Sequence, residues 1–465
     1  MGAGVSNWRL AQAVSRLGQL GVVSGTGLDQ ILARRLQDGD PEGHVRRALV
    51  SFPFPSIASR LLDAYFIPGG KKPDTPYRAL DMHTVETQRL VQELCVAANF
   101  VEVFLARQGH ENPIGVNYLE KVQLPHLPSL YGAMLAGVAV VIMGAGIPFE
   151  IPKVLDALAR HEAVTYPVHV RGAIEGVAYR ASFDPRALWE DEGCSPLAPL
   201  QRPDFLPIVS SDALASILYR KIPGTMAGFV IEGATAGGHN APPRGPLQLT
   251  VDGQPIYGPR DAADLSVLRK LNLPFWLAGS YGSPERVREA LAAGAAGVQV
   301  GTAFALCVDS GLVPEVRRAL IGRALAGNAQ VFTDPLASPT GFPFKVAALE
   351  GTLSEDAVYQ HRQRRCDLGF LREAYCRADG TIGNRCPAEP EASFLAKGGK
   401  ASDLTGRKCL CNALLANIGL PQSMPGGGHE EPLITLGDEL TEIGRFCSAE
   451  QPDYHAADVI RILLG

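Results

Sequence analysis

Short apolar runs recur along the chain, each followed by a glycine-containing loop and then by a segment with helical periodicity. Strands that are apolar on both faces and alternate with helices are typical of a parallel sheet covered by helices. The runs lie at residues 20–25, 113–118, 138–146, 165–170, 205–211, 228–234, 274–279 and 296–301. This alternation predicts an α/β fold.

The number of strand–helix units distinguishes two α/β architectures. Eight units suit a (β/α)8 TIM barrel, whereas a doubly wound sheet usually has fewer. The count here is seven or eight, depending on whether the runs at 165–170 and 205–211 are separate barrel strands. We expect the barrel, with the doubly wound sheet as the alternative.

Two regions depart from the alternation of strands and helices. Residues 26–110 predict a helical insertion with a long amphipathic helix at about 82–108. Residues 336–465 predict a mainly helical region on the substrate side, with helical pieces at "ALLANIGL" and "AADVIRILL". This region is expected to form a second, smaller domain next to a barrel domain of residues 1–335. Such additions to a barrel often form the wall of its site, because the C-terminal strand ends carry the chemistry.

Composition narrows the range of partners and compartments. The formal net charge is −5 and no dense Lys/Arg block occurs, which argues against nucleic acid as a partner. The longest apolar stretch, at about 138–143, is too short to cross a bilayer. With nine cysteines, no C-x-x-C pair and no signal peptide at Met1, we expect reduced thiols in the cytoplasm and no metal site. Cys409 and Cys411 are interpreted as buried helix residues.

The stretch "LAGSYGSPERVREALAAGAAGVQVGTAF" at 277–304 contains two consecutive strand ends that are rich in glycine and small hydroxyl residues. The first strand ends at residues 279–282, and the second ends at Gly301 and Thr302. Between them, Ser283 and the following proline predict the start of a helix that buries Val287 and Leu291 and ends at Gly294. Backbone N–H groups of two such loops can converge on one phosphate, which barrels commonly bind after the seventh and eighth strands. The alternative is that the glycines only turn the chain. We expect a phosphate site here.

The stretch "GFVIEGATAGGHN" at 228–240 ends a predicted strand on two glycines and a histidine. Gly237 and Gly238 let a flat ligand approach the backbone, and His239 has an ordinary pKa suited to proton transfer. A hydrogen-bonded loop histidine remains the alternative. The amide of Asn117, in "GVNYL", is suited to the edge of a heterocycle or to a turn.

The first residues, "MGAGVSNWRLAQAVSRLGQLGVVSGT", predict a glycine loop and a helix that begins at Ser6 as N-cap and ends at about Leu17. They lack the strand and the three spaced glycines of a dinucleotide-binding fingerprint. The chain also has no G-x-S-x-G elbow, P-loop or H-E-x-x-H motif. These absences argue against a Rossmann site, serine hydrolases, nucleotidases and zinc proteases.

The segments "MGAGVS", "GVVSG", "GVN", "GATAGGHN", "LAGSYG" and "VQVGTAF" occur in an order that resembles the nitronate monooxygenase family of FMN-dependent barrels. This resemblance covers about residues 1–335. The segments "SPTGFPFKV" (338–346), "NRCPAEPEASFLAKGG" (384–399) and "GRKCLCNALLANIGLPQ" (406–422) resemble the PfaD-type enoyl reductases of polyunsaturated fatty acid synthases and trans-acyltransferase polyketide synthases. The resemblance implies FMN as cofactor, NADPH or NADH as hydride donor, and an enoyl thioester on an acyl carrier protein as substrate.

The resemblance also carries site residues over to this sequence. His239 is the implied catalytic residue, facing the reactive side of the flavin. The implied cofactor contacts are Gly2, Ala3, Ser24 and Gly25 (flavin ring or ribityl chain), Asn117 and Glu232 (polar edge), Gly237 and Gly238 (backbone approach), and Gly279, Ser280, Gly282, Gly301 and Thr302 (phosphate).

Two alternative functions remain, namely flavin-dependent oxidation of nitronates and a non-catalytic docking role in a synthase. The implied partners are the acyl carrier protein and synthase modules, with a homodimer left open. Arg364, Arg365 and Arg407 either meet an acidic carrier surface or face solvent. In the family an apolar strand precedes the "MG" loop, and Met1 already lies in that loop. We therefore expect the first barrel strand to be missing from this sequence.

Overall fold

The computed structural model describes residues 2–86, 88–190, 192, 197–424 and 427–465. Its strands are β1 (Gly21–Ser24), β2 (Ile114–Leu119), β3 (Val140–Gly144), β4 (Val164–Pro167), β5 (Val170–Arg171), β6 (Arg180–Phe183), β7 (Asp204–Val209), β8 (Phe229–Glu232), β9 (Phe275–Ala278), β10 (Gly297–Gln299), β11 (Val331–Asp334), β12 (Phe344–Ala347), β13 (Glu373–Cys376) and β14 (Ile382–Arg385).

The helices are α1 (Trp8–Arg16), α2 (Leu28–Gln37), α3 (His44–Val50), α4 (Pro55–Tyr65), α5 (Arg89–Arg107), α6 (His126–Leu135), α7 (Ile151–Ala159), α8 (Ala187–Glu190), α9 (Asp212–Lys221), α10 (Leu265–Lys270), α11 (Pro284–Ala292), α12 (Thr302–Ala305), α13 (Pro314–Leu325), α14 (Asp356–His361), α15 (Glu391–Ala396), α16 (Leu410–Ala416) and α17 (Ala456–Leu464). Three 3-10 helices span Pro259–Asp261, Ala401–Leu404 and Asp438–Arg445.

Seven parallel strands form the central sheet in the order β1-β2-β3-β7-β8-β9-β10. The order follows the chain without reversal, so the sheet lacks the switch point of a doubly wound fold. The predicted α/β barrel architecture is confirmed, with seven strands in the described residues. The run at 205–211 supplies β7. The run at 165–170 does not join this sheet, because β4 pairs antiparallel with β6.

The sheet is open between its first and last strands, β1 and β10, which share no pairing in the described parts of the chain. Helix α17 packs against α1 and α11, the helices that flank these two edges. A cavity extends into this space and is lined there by residues such as Val22, Val298 and Leu463. Residues of α17 and of the two edge strands therefore share the wall of this cavity.

The inward faces of the strands form a small apolar layer. Ile142, Leu206, Val230 and Ala278 pack together there. Side chains alternate between the two faces of a strand. Since Val230 points inward, Glu232 at the C-terminal end of β8 points the same way, toward the site.

The N-terminal loop is fixed beside the end of β1. The Ser24 backbone N–H donates to the Ser6 carbonyl at 2.8 Å, and the Ser6 hydroxyl donates to the Val22 carbonyl at 2.6 Å. Asn7 caps helix α1 by accepting from two backbone N–H groups. The prediction of Ser6 as N-cap was wrong, because its hydroxyl is bonded to β1 instead.

Helix α5 anchors this arrangement from the insertion. Its buried Glu102 accepts from the Trp8 backbone N–H at 2.9 Å and from Arg35 at 2.7 Å. The helix predicted over 82–108 begins only at Arg89. Upstream of this helix, His83 lies in irregular backbone, and its side chain is buried. Its Nε2 is 2.9 Å from the Asp29 carboxylate.

The helix between the last two barrel strands is α11, and its sequence signals are confirmed. Ser283 caps it by accepting from the Arg286 N–H, and proline occupies the first turn. Val287 and Ala290 are buried, whereas Leu291, expected on the buried face, is 51% exposed.

The C-terminal region contains three short strands, β12, β13 and β14, as well as helices in its described residues. Strands β11 and β12 form an antiparallel pair, and β13 joins both β14 and β5. The segments predicted as helices from "ALLANIGL" and "AADVIRILL" are α16 and α17. The domain boundary near residue 335 stays a prediction. None of the helices in the described ranges has the length and apolar character needed to cross a membrane.

We expect Glu102→Ala to lower the free energy of unfolding by about 3 kcal/mol, because it leaves the Arg35 guanidinium and a buried N–H without their acceptor. Chemical denaturation measures the change. Glu289→Ala is the control, since the Arg286–Glu289 pair is about 60% exposed on both sides and should contribute less than about 1 kcal/mol. Equal effects of the two substitutions would contradict this assignment.

Candidate active site

A cavity of about 440 Å³ begins at the C-terminal strand ends and continues into the gap between β1 and β10. Its lid is a segment of the C-terminal region, residues 435–439, which we call the returning segment. Of the sequence-predicted site residues, those on the cavity wall are Gly2, Glu232, Gly237, Gly238, Gly279, Ser280, Gly301 and Thr302. Those away from the wall are Ala3, Ser24, Gly25, Asn117, His239 and Gly282.

The loop after β9 has an unusual backbone. Gly279 and Ser280 both have positive φ, 99° and 57°. At Gly279 an added Cβ would stand 2.9 Å from Thr235 Oγ1, so glycine is required there. A serine in the left-handed region costs about 1 kcal/mol or more, and such residues cluster at ligand sites.

The loop after β10 leaves space for a ligand group. Gly301 is the N-cap of α12 and offers no side chain to cap it. An added Cβ at Gly301 would meet nothing within 4 Å. Because the first N–H groups of a helix lack intrahelical partners, Gly301 and Thr302 present donors to the cavity. This cradle fits an anionic group.

A carboxylate of the chain already binds part of the first loop. The Gly282 N–H donates to the side chain of Glu439, and burial raises the pKa of that carboxyl group. Arg445 donates to the Gly282 carbonyl at 2.9 Å. The Gly282 N–H therefore already has an acceptor within the chain, and a phosphate bound nearby would lie close to the Glu439 carboxyl group. Sequence reasoning missed Glu439, which lies in a region without a recognisable motif.

Backbone contacts hold the returning segment against the strand ends. The Gly437 N–H donates to Thr302 Oγ1 at 2.9 Å, and the Gly238 N–H donates to Thr435 Oγ1 at 2.8 Å. At Gly237 an added Cβ would stand 2.8 Å from the Gly437 nitrogen. Gly237 is thus needed for close packing against the returning segment, a reason that differs from the ligand approach expected from the sequence.

Glu232 brings a titratable group to the cavity wall. Burial raises its pKa to about 7. Near neutral pH its carboxyl group is therefore present in both protonation states and can either donate or accept a hydrogen bond.

His239 lies beside the cavity. Its Nε2 is 2.7 Å from Ser338 Oγ, and its ring packs edge-on against Phe344 with centroids 4.8 Å apart. Burial lowers the pKa of His239 to about 3, so the imidazole is neutral at physiological pH. Ser338 in turn lies 2.8 Å from Thr340 Oγ1, and its carbonyl accepts from Arg407 at 2.6 Å.

The remaining predicted contacts lie at the ends of β1 and β2. Asn117 pairs in register with Ser24, and its carbonyl accepts from the Gly25 N–H at 2.8 Å. A Cβ at Gly25 would overlap the Tyr118 ring. Glycine at this position is therefore explained by packing alone.

The three arginines considered for partner contact bond within the chain. Arg364 donates to the Pro387 carbonyl, Arg365 to the Ser423 carbonyl, and Arg407 to the Leu336 and Ser338 carbonyls. They organise the C-terminal region.

Residues 205–333 match the family model described as nitronate monooxygenase. This span runs from β7 to β11 and includes both strand-end loops and His239. No curated protein matches the sequence.

Three solved structures illustrate the structural likenesses. FabK from Thermotoga maritima is 15% identical in sequence to this chain, with a TM-score of 0.46. The alignment covers 99% of this chain and 89% of that chain. Nitroalkane oxidase from Streptomyces ansochromogenes has 15% identity, 100% and 92% covered, and a TM-score of 0.47. The enoyl reductase domain of MlnA from Bacillus amyloliquefaciens has 12% identity, 78% and 66% covered, and a TM-score of 0.35. These values are too low to support a conclusion about activity.

We expect Glu439→Gln to bind FMN about fivefold more tightly than the unmodified chain, because the substitution removes a negative charge beside the phosphate cradle but keeps an acceptor for Gly282. Flavin fluorescence titration measures the affinity. Glu162→Gln, at a side chain 52% exposed and away from the cavity wall, is the control and should change nothing. Unchanged or weaker binding by Glu439→Gln would place the phosphate elsewhere.

Proposed function

We propose that this protein is an FMN-dependent oxidoreductase that reduces the α,β double bond of enoyl thioesters carried by an acyl carrier protein. The observation that carries the proposal is the cradle of two strand-end loops, at 279–282 and at Gly301 and Thr302. Both loops lie in the segment that matches the nitronate monooxygenase family model. Oxidation of nitronates is the second candidate, and the description of that family model favours it.

The residues present fit FMN. The cavity of about 440 Å³ lies within the roughly 300–1,000 Å³ usual for small-molecule sites. Ser280, Gly301 and Thr302 would hold the phosphate through backbone N–H groups. When bound there, FMN would supply the hydride-transfer chemistry between NADPH or NADH and the β-carbon of the enoyl thioester.

The other wall residues would orient the ligands and keep water out. The apolar layer of Ile142, Leu206 and Val230 lies below the cavity and excludes water from it. Glu232, with its pKa near 7, would hydrogen-bond the polar edge of the flavin.

His239 would contact the thioester of the bound substrate. A neutral imidazole can donate an N–H hydrogen bond to the thioester oxygen or relay a proton to the α-carbon. Gly238 lies on the cavity wall, so a turn of the ring away from Ser338 would bring it to the substrate.

The synthase context is the finer part of the proposal. It is supported by the resemblance of the segments at 338–346, 384–399 and 406–422 to PfaD-type enoyl reductases. Two of these segments meet where Arg407 bonds Ser338, next to His239. We propose polyketide or polyunsaturated fatty acid synthase modules as partners, in the cytoplasm, with a homodimer left open.

An anaerobic half-reaction tests the proposal. Protein loaded with FMN is bleached with NADPH, and a 2-enoyl thioester on a carrier protein or pantetheine mimic is then added. We expect the oxidised flavin spectrum to return with a saturated thioester as product. Bleaching by a nitroalkane nitronate but not by NADPH would support nitronate oxidation instead. A protein that binds no flavin would support a docking role.

The same experiment tests His239. We expect His239→Ala to keep FMN and the bleaching step but to slow recovery by the thioester about 100-fold, within the usual range for loss of an acid–base group. Ser338→Ala is the matched control, because it keeps the imidazole and should change recovery less than about tenfold. Full-speed recovery in His239→Ala would remove this residue from the mechanism.

A further inference from the structure

Four cysteines from three separate segments line one small cavity in the C-terminal region. Cys366 follows α14, Cys386 follows β14, and Cys409 and Cys411 lie at the start of α16. None of the four lines the candidate active site. The interpretation of Cys409 and Cys411 as plain buried helix residues leaves this convergence unexplained.

The four thiols are free and enclosed. None of the four forms a disulfide within the residues that the structure describes. Cys386 and Cys409 are buried in one small apolar cluster, and Cys366 packs against it.

One arginine, Arg372, lines this cavity and supplies positive charge to it. A second, Arg362, is buried and ion-paired with Glu430, and its Nη1 has no hydrogen-bond partner among the residues that the structure describes. A centre ligated by four thiolates is anionic, and cations and hydrogen-bond donors around the sulfur atoms stabilise such centres.

The arrangement of the thiols distinguishes a cluster from a single ion. A zinc ion bound by four thiolates needs every sulfur atom at roughly 2.3 Å from one centre. No three His, Cys, Asp or Glu side chains in the described ranges are arranged around one metal ion in this way.

We propose that Cys366, Cys386, Cys409 and Cys411 ligate an iron–sulfur cluster. In such a cluster the cysteines bind different irons, so their sulfur atoms stand farther apart than around one ion. Pro339 lines the same cavity, and the preceding Ser338 contacts His239. The cluster would therefore cross-link three C-terminal segments and fix the loop that positions His239.

Metal and sulfide analysis of the full chain, purified without oxygen, tests the proposal. We expect iron and acid-labile sulfide in equal amounts, about two to four of each per chain, and an electron paramagnetic resonance signal in the oxidised or reduced protein. Absence of iron and sulfide after anaerobic purification and after reconstitution with iron and sulfide would overturn it. One zinc per chain in their place would also overturn it.

Single substitutions assign the ligands. We expect Cys366→Ser, Cys386→Ser, Cys409→Ser and Cys411→Ser each to lose most of the iron. Cys307→Ser, at a buried thiol in another core, should retain all of it. Full iron retention in the four variants would assign the metal elsewhere. Flavin content is measured separately, so failure here is distinguishable from failure of the proposed enzymatic activity.

Discussion

The contact between the returning segment and the strand ends determines the architecture of the site. Thr302 and Gly238 bond this segment through single hydrogen bonds, and Gly237 has no side chain, which lets the two backbones meet. Lys345, nearly buried, adds an ion pair to Asp438 at 2.6 Å. The sheet positions the loops after β8, β9 and β10, and the returning segment covers them. Without this segment these loops would be exposed to solvent.

The fold was largely predictable because its signals are local. Apolar runs bounded by glycine identified the seven sheet strands, and Ser283 with the following proline located the start of α11. The run that forms β4 has the same composition, yet it pairs with β6, and composition does not encode a pairing partner. Ser6 and Asn7 are both good N-caps, and the hydrogen bond from Ser6 to β1 decides between them.

The site was predictable only in part. Glycine patterns indicated the loops at 279–282 and at Gly301, where the structure has positive φ or open space. Gly25 instead makes room for the Tyr118 ring, and Gly237 makes room for the backbone of Gly437. A glycine in the sequence does not show whether the space beside it holds a ligand or another part of the chain. Glu439 and Ser338 were out of reach, because each contacts its partner loop across more than 90 positions of sequence.

The C-terminal region contributes the parts of the site that local sequence patterns did not predict. It supplies the lid of the cavity, the hydroxyl at His239 and the four clustered thiols. We propose that the strand-end loops bind a flavin through its phosphate. A titration with FMN and with riboflavin, which lacks the phosphate, tests this binding mode. We expect FMN to bind about 100-fold more tightly, from two charge-assisted hydrogen bonds. Equal affinities for the two flavins would contradict it.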